Sequence, residues 1–143
     1  MTHYLIFLAL IPIASFQLCR MFAPGRLWLW TGLTVGAVIA PVSQGLVEYT
    51  MIPLIGGMLG LMGAIFNMIH GSVGYFLLAA CDIFQPGAVL DGSQLTMMNL
   101  VNGAIWTIYY GLVGYRIDVK AARKTSAKYV VVGAAKLKHG EEF

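Results

Sequence analysis

At 143 residues, 59% of them hydrophobic and 10% charged, the chain is too apolar for an ordinary soluble domain, in which about 25% of residues are charged. Its net charge of +3 hides a block, since seven of the nine Lys and Arg lie at or after Arg116. A basic end without interleaved aromatics points to anionic lipid headgroups and away from nucleic acid.

Residues 1–19, 27–47, 49–81 and 92–115 contain no Asp, Glu, Lys or Arg. A helix needs about 20 apolar residues to cross about 30 Å of hydrocarbon. These runs therefore predict an all-α integral membrane protein: a four-transmembrane-helix bundle over residues 1–115, then a basic cytoplasmic juxtamembrane tail over 116–143. The competing class, a soluble helical bundle, should show polar outer helix faces.

The first helix is expected over Tyr4–Leu18, kinked at Pro12. It lacks the basic start and small-residue cleavage site of a signal peptide. Pro24-Gly25 punctuate the loop Arg20–Arg26. The second helix is expected over Leu27–Val47, with Trp28 and Trp30 as interfacial anchors, and a tight turn over Glu48–Pro53. The third, Ile52–Ala80, is too long. About 29 residues rise about 44 Å, so the helix must tilt, protrude or break, and His70-Gly71-Ser72-Val73-Gly74 is the natural break. A loop, Asp82–Gln94, leads to the fourth helix, Leu95–Tyr115. Basic residues near the helix ends favour the tail side as cytoplasmic. Four crossings would then place both termini there, although Arg20 and Arg26 fall on the opposite face.

Gly56, Gly60, Gly63, Asn67, His70 and Gly74 recur every three or four residues, so they share one seam of the third helix. Small residues on a seam let membrane helices approach closely. Gly32 and Gly36, followed by Ala40 and Ser43, form a stripe on the second helix that could meet this seam, which makes the third helix the expected centre of packing. Asn67 and His70 on the seam, with Asn99 and Asn102 from the fourth helix, form a candidate polar intramembrane cluster. The fourth-helix stripe continues through Trp106, Tyr109 and Val113, and a polar pocket between the third and fourth helices is conceivable. A buried ionisable group in a bilayer invites a functional reading: a proton relay, a substrate contact or a haem ligand. The plainer reading is a neutral His70 hydrogen-bonded to a neighbouring helix, for example to Asn102. No cofactor is predicted. A haem on His70 would lack a second intramembrane His, since His3 and His139 lie at the ends.

Glu48 could pair with Arg116, the first basic residue after the fourth helix. Cys19 and Cys81 end helices on the same expected face, where a disulfide is chemically allowed, with two free thiols as the plainer reading. Arg116, Lys120, Arg123, Lys124 and Lys128 share a helical face suited to lipid headgroups, and Tyr129–Val132 suggests a strand or a docking segment. No P-loop, GxSxG, HExxH or dinucleotide fingerprint occurs, so nucleotide-dependent or covalent catalysis is unsupported.

The functional expectation is a non-catalytic membrane subunit, packed by glycine faces against other subunits or copies of itself within a larger complex. The alternatives are a small oligomeric transporter or channel with a polar path near His70, and a redox subunit contacting haem or quinone there.

Overall fold

The computed structural model describes residues 2–48, 56–87 and 89–139. They are all-helical, with no strand among them: α1 (Thr2–Phe22), a 3-10 turn (Pro24–Arg26), α2 (Leu27–Glu48), α3 (Gly56–His70), α4 (Ser72–Ala80) and α5 (Gly92–His139). Most of the Glu48–Pro53 turn, the start of the expected third helix and the side chain of Lys128 lie outside the described residues. Pro24–Val47 and Gly56–Ala80 are long and apolar enough to cross a membrane, and Ile6–Phe22 is a shorter apolar helix.

α2, not the third predicted helix, is the centre of packing, touching α1, α3 and α5. Its Gly32 and Gly36 face α5, not α3. A Cβ on Gly32 would overlap the Tyr110 carbonyl, and one on Gly36 the Trp106 carbonyl. From the other side, a Cβ on Gly114 would overlap the Trp28 carbonyl. The absence of side chains at these points is what lets the two backbones touch. The seam of α3 meets α2 further along, where a Cβ on Gly63 would stand 2.7 Å from the Leu46 Cβ.

These contacts fix the direction of the helices. As α2 advances from Trp28 through Gly36 to Gln44, its partners on α5 retreat from Gly114 through Trp106 to Asn99. α2 and α5 are therefore antiparallel. Four alternating crossings would have made them parallel. The difference arises at Gly71, where the predicted third helix breaks. α3 leaves the C-terminal end of α2 and reaches Trp106 and Tyr110 at His70. Beyond the break, Gly74 meets Asn102, and Leu78 clusters with Met98 and Phe84. The chain thus steps back along α5 toward the end at which α3 began.

α4 ends in a Schellman turn. Ile83 N–H donates to the Leu78 carbonyl (2.9 Å) and Asp82 N–H to that of Ala79 (3.1 Å). Asp82 takes the left-handed position, at φ 58°, which short polar side chains tolerate better than most. Asp91 then opens α5 with a capping box: its carboxylate accepts from the Ser93 N–H (2.8 Å) and the Gln94 N–H (2.8 Å), and Gln94 Oε1 accepts from the Asp91 N–H (3.1 Å).

Several expectations change with this topology. The N-terminal end of α1 lies beside the C-terminal half of α2, where Tyr4 shares a cleft with Gln44 and Gly45. Residues 116–118 of α5 lie beside the start of α2. The start of α1 and the basic stretch of α5 are consequently at opposite ends of the bundle, not the same end. Glu48 and Arg116 are likewise at opposite ends, too far apart to pair. Cys19 and Cys81 are free thiols; α1 packs on α2, whereas α4 returns along α5, so the two cysteines do not meet. The backbone over Tyr129–Val132 is helical, not a strand, because α5 runs through residue 116 without interruption.

Candidate functional site

The break in the third predicted helix is the most polar place inside the bundle. In an unbroken helix the Gly74 N–H would donate to the His70 carbonyl. Here Gly74 N–H donates to Asn102 Oδ1 (2.6 Å), while Asn102 Nδ2 donates to the Gly71 carbonyl (2.8 Å). Trp106 Nε1 donates to the His70 carbonyl (2.9 Å). Asn102 Oδ1 and the Trp106 indole thus take up the Gly74 N–H and the His70 carbonyl that the break sets free, and Asn102 Nδ2 adds a bond to the Gly71 carbonyl, which is how apolar surroundings tolerate irregular backbone. Asn102 is fully buried, at 0% exposure. Gly74 must lack a side chain, since a Cβ there would lie 2.7 Å from Asn102 Oδ1.

His70, 5% exposed, engages both ring nitrogens. Nδ1 lies 2.9 Å from the Phe66 carbonyl and Nε2 lies 2.8 Å from the Tyr110 hydroxyl. A carbonyl only accepts, so the neutral ring carries its proton on Nδ1 and accepts from Tyr110 through Nε2. The Trp106 ring packs on the imidazole with centroids 4.6 Å apart. An axial bond to haem through Nε2 would have to displace the Tyr110 hydroxyl.

The four predicted polar residues fall into separate places. His70 and Asn102 meet at the break. Asn67 lies next to it, its buried Oδ1 without a hydrogen-bond partner and 2.5 Å from where a Gly71 Cβ would be. Asn99 turns to α2, where its Nδ2 donates to Gln44 Oε1. The expected stripe on the fourth helix divides in the same way, because α5 is wedged between α2 and α4: Tyr109 and Val113 are exposed. A cleft of about 670 Å³ lies among α1, α2 and α5, lined by Tyr4, Pro41, Gln44, Asn99 and Ala104 among others.

Two side chains that tie the helices together escaped the sequence reading. Tyr110 is one residue off the recognised stripe, and its role depends on the bend that brings His70 to it. Asp118, beyond the apparent end of the fourth helix, accepts from the Trp28 N–H (3.1 Å) and the Leu29 N–H (2.9 Å). It caps the start of α2 from another helix, placing a carboxylate on the positive end of the dipole. The signal was present: α2 follows Pro-Gly-Arg and has no Ser, Thr, Asp or Asn of its own at the cap.

The basic residues Arg116, Lys120, Arg123 and Lys124 are all exposed on α5. No protein-family model, curated protein or solved structure matches this chain.

Proposed function

We propose that the chain is an integral membrane protein with three crossings, α1, α2 and α5, and a re-entrant α3–α4 element, serving as a non-catalytic subunit of a larger membrane complex. The distribution of side chains supports the membrane part. Glycines, Ser43, His70, Asn102 and Asp118 are buried, whereas Phe7 (66%), Met68 (79%) and Leu100 (70%) are exposed. A protein facing water does the opposite. The antiparallel α2 and α5 also bring Arg20, Arg26, Arg116, Lys120, Arg123 and Lys124 to one end. Glu48 and Asp91 fall at the other. By the positive-inside rule that basic end is cytoplasmic, and the start of α1 is on the far side.

One observation carries the subunit part: the backbone of α5 continues for about 20 residues, roughly 30 Å, past Asp118, the last tie to the bundle among the described side chains. Residues 120–127 are all exposed, and a helix of this length is marginal alone in water. A partner that covers this segment would give it a reason to be helical. Gentle detergent purification and native mass spectrometry test the reading. A stable heteromeric mass that is lost on truncation after Lys120 is expected; a lone monomer would sink it.

The broken α3–α4 element favours a second reading, a small oligomeric transporter or channel with its path near His70, since discontinuous helices often line substrate sites. Asn102 and Trp106 already occupy the freed backbone groups, which weighs toward a packing role. Liposome flux lost in both His70→Ala and Asn102→Leu would favour transport.

A further inference from the structure

The basic stretch of α5 holds its charge on the side away from the bundle. Asp118 is the one acid between residues 92 and 139. It is 9% exposed, and its two oxygens are turned onto the Trp28 and Leu29 N–H groups. Glu48 and Asp91 lie at the other end of the bundle, and Glu141 and Glu142 lie outside the described residues. Arg116 and Lys120 stand two residues to either side of Asp118, and residues two apart point to different sides of a helix. Arg116, Lys120 and Arg123 recur at intervals of four and three, so they form one stripe facing away from α2, with Lys124 beside it. All four are exposed. Like charges at this spacing weaken a lone helix, and carboxylates brought from outside turn that repulsion into attraction.

Geometry selects among the anionic surfaces that could meet the stripe. Residues 92–115 rise about 36 Å, past the roughly 30 Å of hydrocarbon, so Arg116 falls at the headgroups. The backbone of α5 continues unbroken to His139. Lys124 therefore stands about 12 Å beyond Arg116 along the helix, more than the screening length of about 8 Å. The membrane surface meets only the start of the stripe. Thr125 and Ser126 donate their hydroxyl protons to the Ala121 and Ala122 carbonyls (3.1 Å each), and residues 116–127 include no aromatic side chain. Nucleic acid would find there neither a hydroxyl donor for its phosphates nor a ring for its bases. A second copy would bring the same cations. We infer that the stripe docks an acidic helix of the partner subunit, which runs along α5 and sets Asp or Glu at matching intervals of three and four residues. The inference rests on the subunit reading and names the chemistry of that partner.

Native mass spectrometry of the full chain, purified gently from native membranes, gives the first test. The heteromer should dissociate in high salt. Combined Lys120→Glu, Arg123→Glu and Lys124→Glu should lower its apparent affinity about tenfold, whereas Lys120→Arg with Lys124→Arg should keep it. A heteromer that survives both charge reversal and high salt overturns the inference and leaves the subunit reading standing; a lone monomer removes both. The second test uses the unmodified chain in phosphatidylcholine nanodiscs, and so does not depend on any variant folding. Its probe is a fluorescent helical peptide with Glu at alternating intervals of three and four. Unlabelled peptide should displace the probe, and a counterpart with Gln in place of each Glu should not. Equal displacement by the Gln peptide, or tighter binding of a single-stranded RNA oligonucleotide, would overturn the proposal. So would quenching of a fluorophore on Thr125→Cys, in a background free of Cys19 and Cys81, by phosphatidylglycerol spin-labelled at its headgroup, since the membrane would then hold the stripe.

Discussion

Asn102 does for the break what helix geometry does elsewhere. Its two amide atoms hold Gly71 and Gly74, and no water is needed at a fully buried position. Asn102→Leu keeps the volume and removes both bonds. We expect a loss of about 2 kcal/mol of unfolding free energy in detergent, toward the upper end for polar contacts in membranes, because the buried Gly74 N–H loses its substitute acceptor and the bond to the Gly71 carbonyl goes with it. Asn99→Leu should cost less, since Asn99 already leaves one oxygen unpaired. Equal losses would show that Asn102 is not the tie described. Asp91 offers a second residue-level prediction. Hydrogen bonds from the Ser93 side chain, then the Gln94 and Ser93 backbone, hold its carboxyl below the ordinary value of 3.8. A depressed folded value favours the ionised form. Its stabilisation is therefore present above 3.8 and is lost as the pH falls through the lower folded value. Thermal melts of Asp91→Asn should lack this part of the acid-side decline. An unchanged acid limb would contradict the assignment.

At the level of elements, the α2–α5 contact depends on glycines that admit a neighbouring backbone, while other glycines do nothing of the kind. Gly36→Leu and Gly114→Val drive a side chain into the Trp106 and Trp28 carbonyls. Overpacking of this sort costs about 1–3 kcal/mol, here at the upper end because the obstacle is backbone. Gly57, with nothing within 4 Å of where a Cβ would stand, is the control: Gly57→Ala should be neutral or slightly stabilising through helix propensity. Chemical denaturation followed by circular dichroism measures all three. Asp118→Ala tests the cap that α5 lends α2. A loss of about 1 kcal/mol is expected, and no loss would mean that the Trp28 and Leu29 N–H groups find another acceptor.

The whole molecule is governed by one turn. Because the chain bends back at Gly71, α5 starts at the end where α2 finishes, and every later residue changes side relative to four simple crossings. Single cysteines at Thr2 and Thr125, in a background free of Cys19 and Cys81, should therefore be labelled by a membrane-impermeant maleimide from opposite faces of sealed vesicles. Labelling of both from one face would restore the four-crossing arrangement. The same bend gathers Arg20 and Arg26 with the Arg116–Lys124 group, so the charges that conflict in a four-crossing reading agree in a three-crossing one.

Much of this was legible in the sequence because it is local. Charge-free runs give helices of the right length, Pro24-Gly25 marks a turn, and glycine spacing identifies seams. An overlong third helix with His70-Gly71-Ser72-Val73-Gly74 in its middle had to tilt, protrude or break, and it breaks at Gly71. Which seam meets which was not legible, nor was the direction of α5, since a glycine stripe states only that something can approach. Direction was decided when Asn102 and Trp106 could satisfy the opened backbone of α3–α4, an agreement between residues about 30 positions apart that no periodicity encodes. Tyr110 on His70 and Asp118 on α2 follow from the same closure, because a hydrogen bond between distant segments exists only once packing has placed donor and acceptor together.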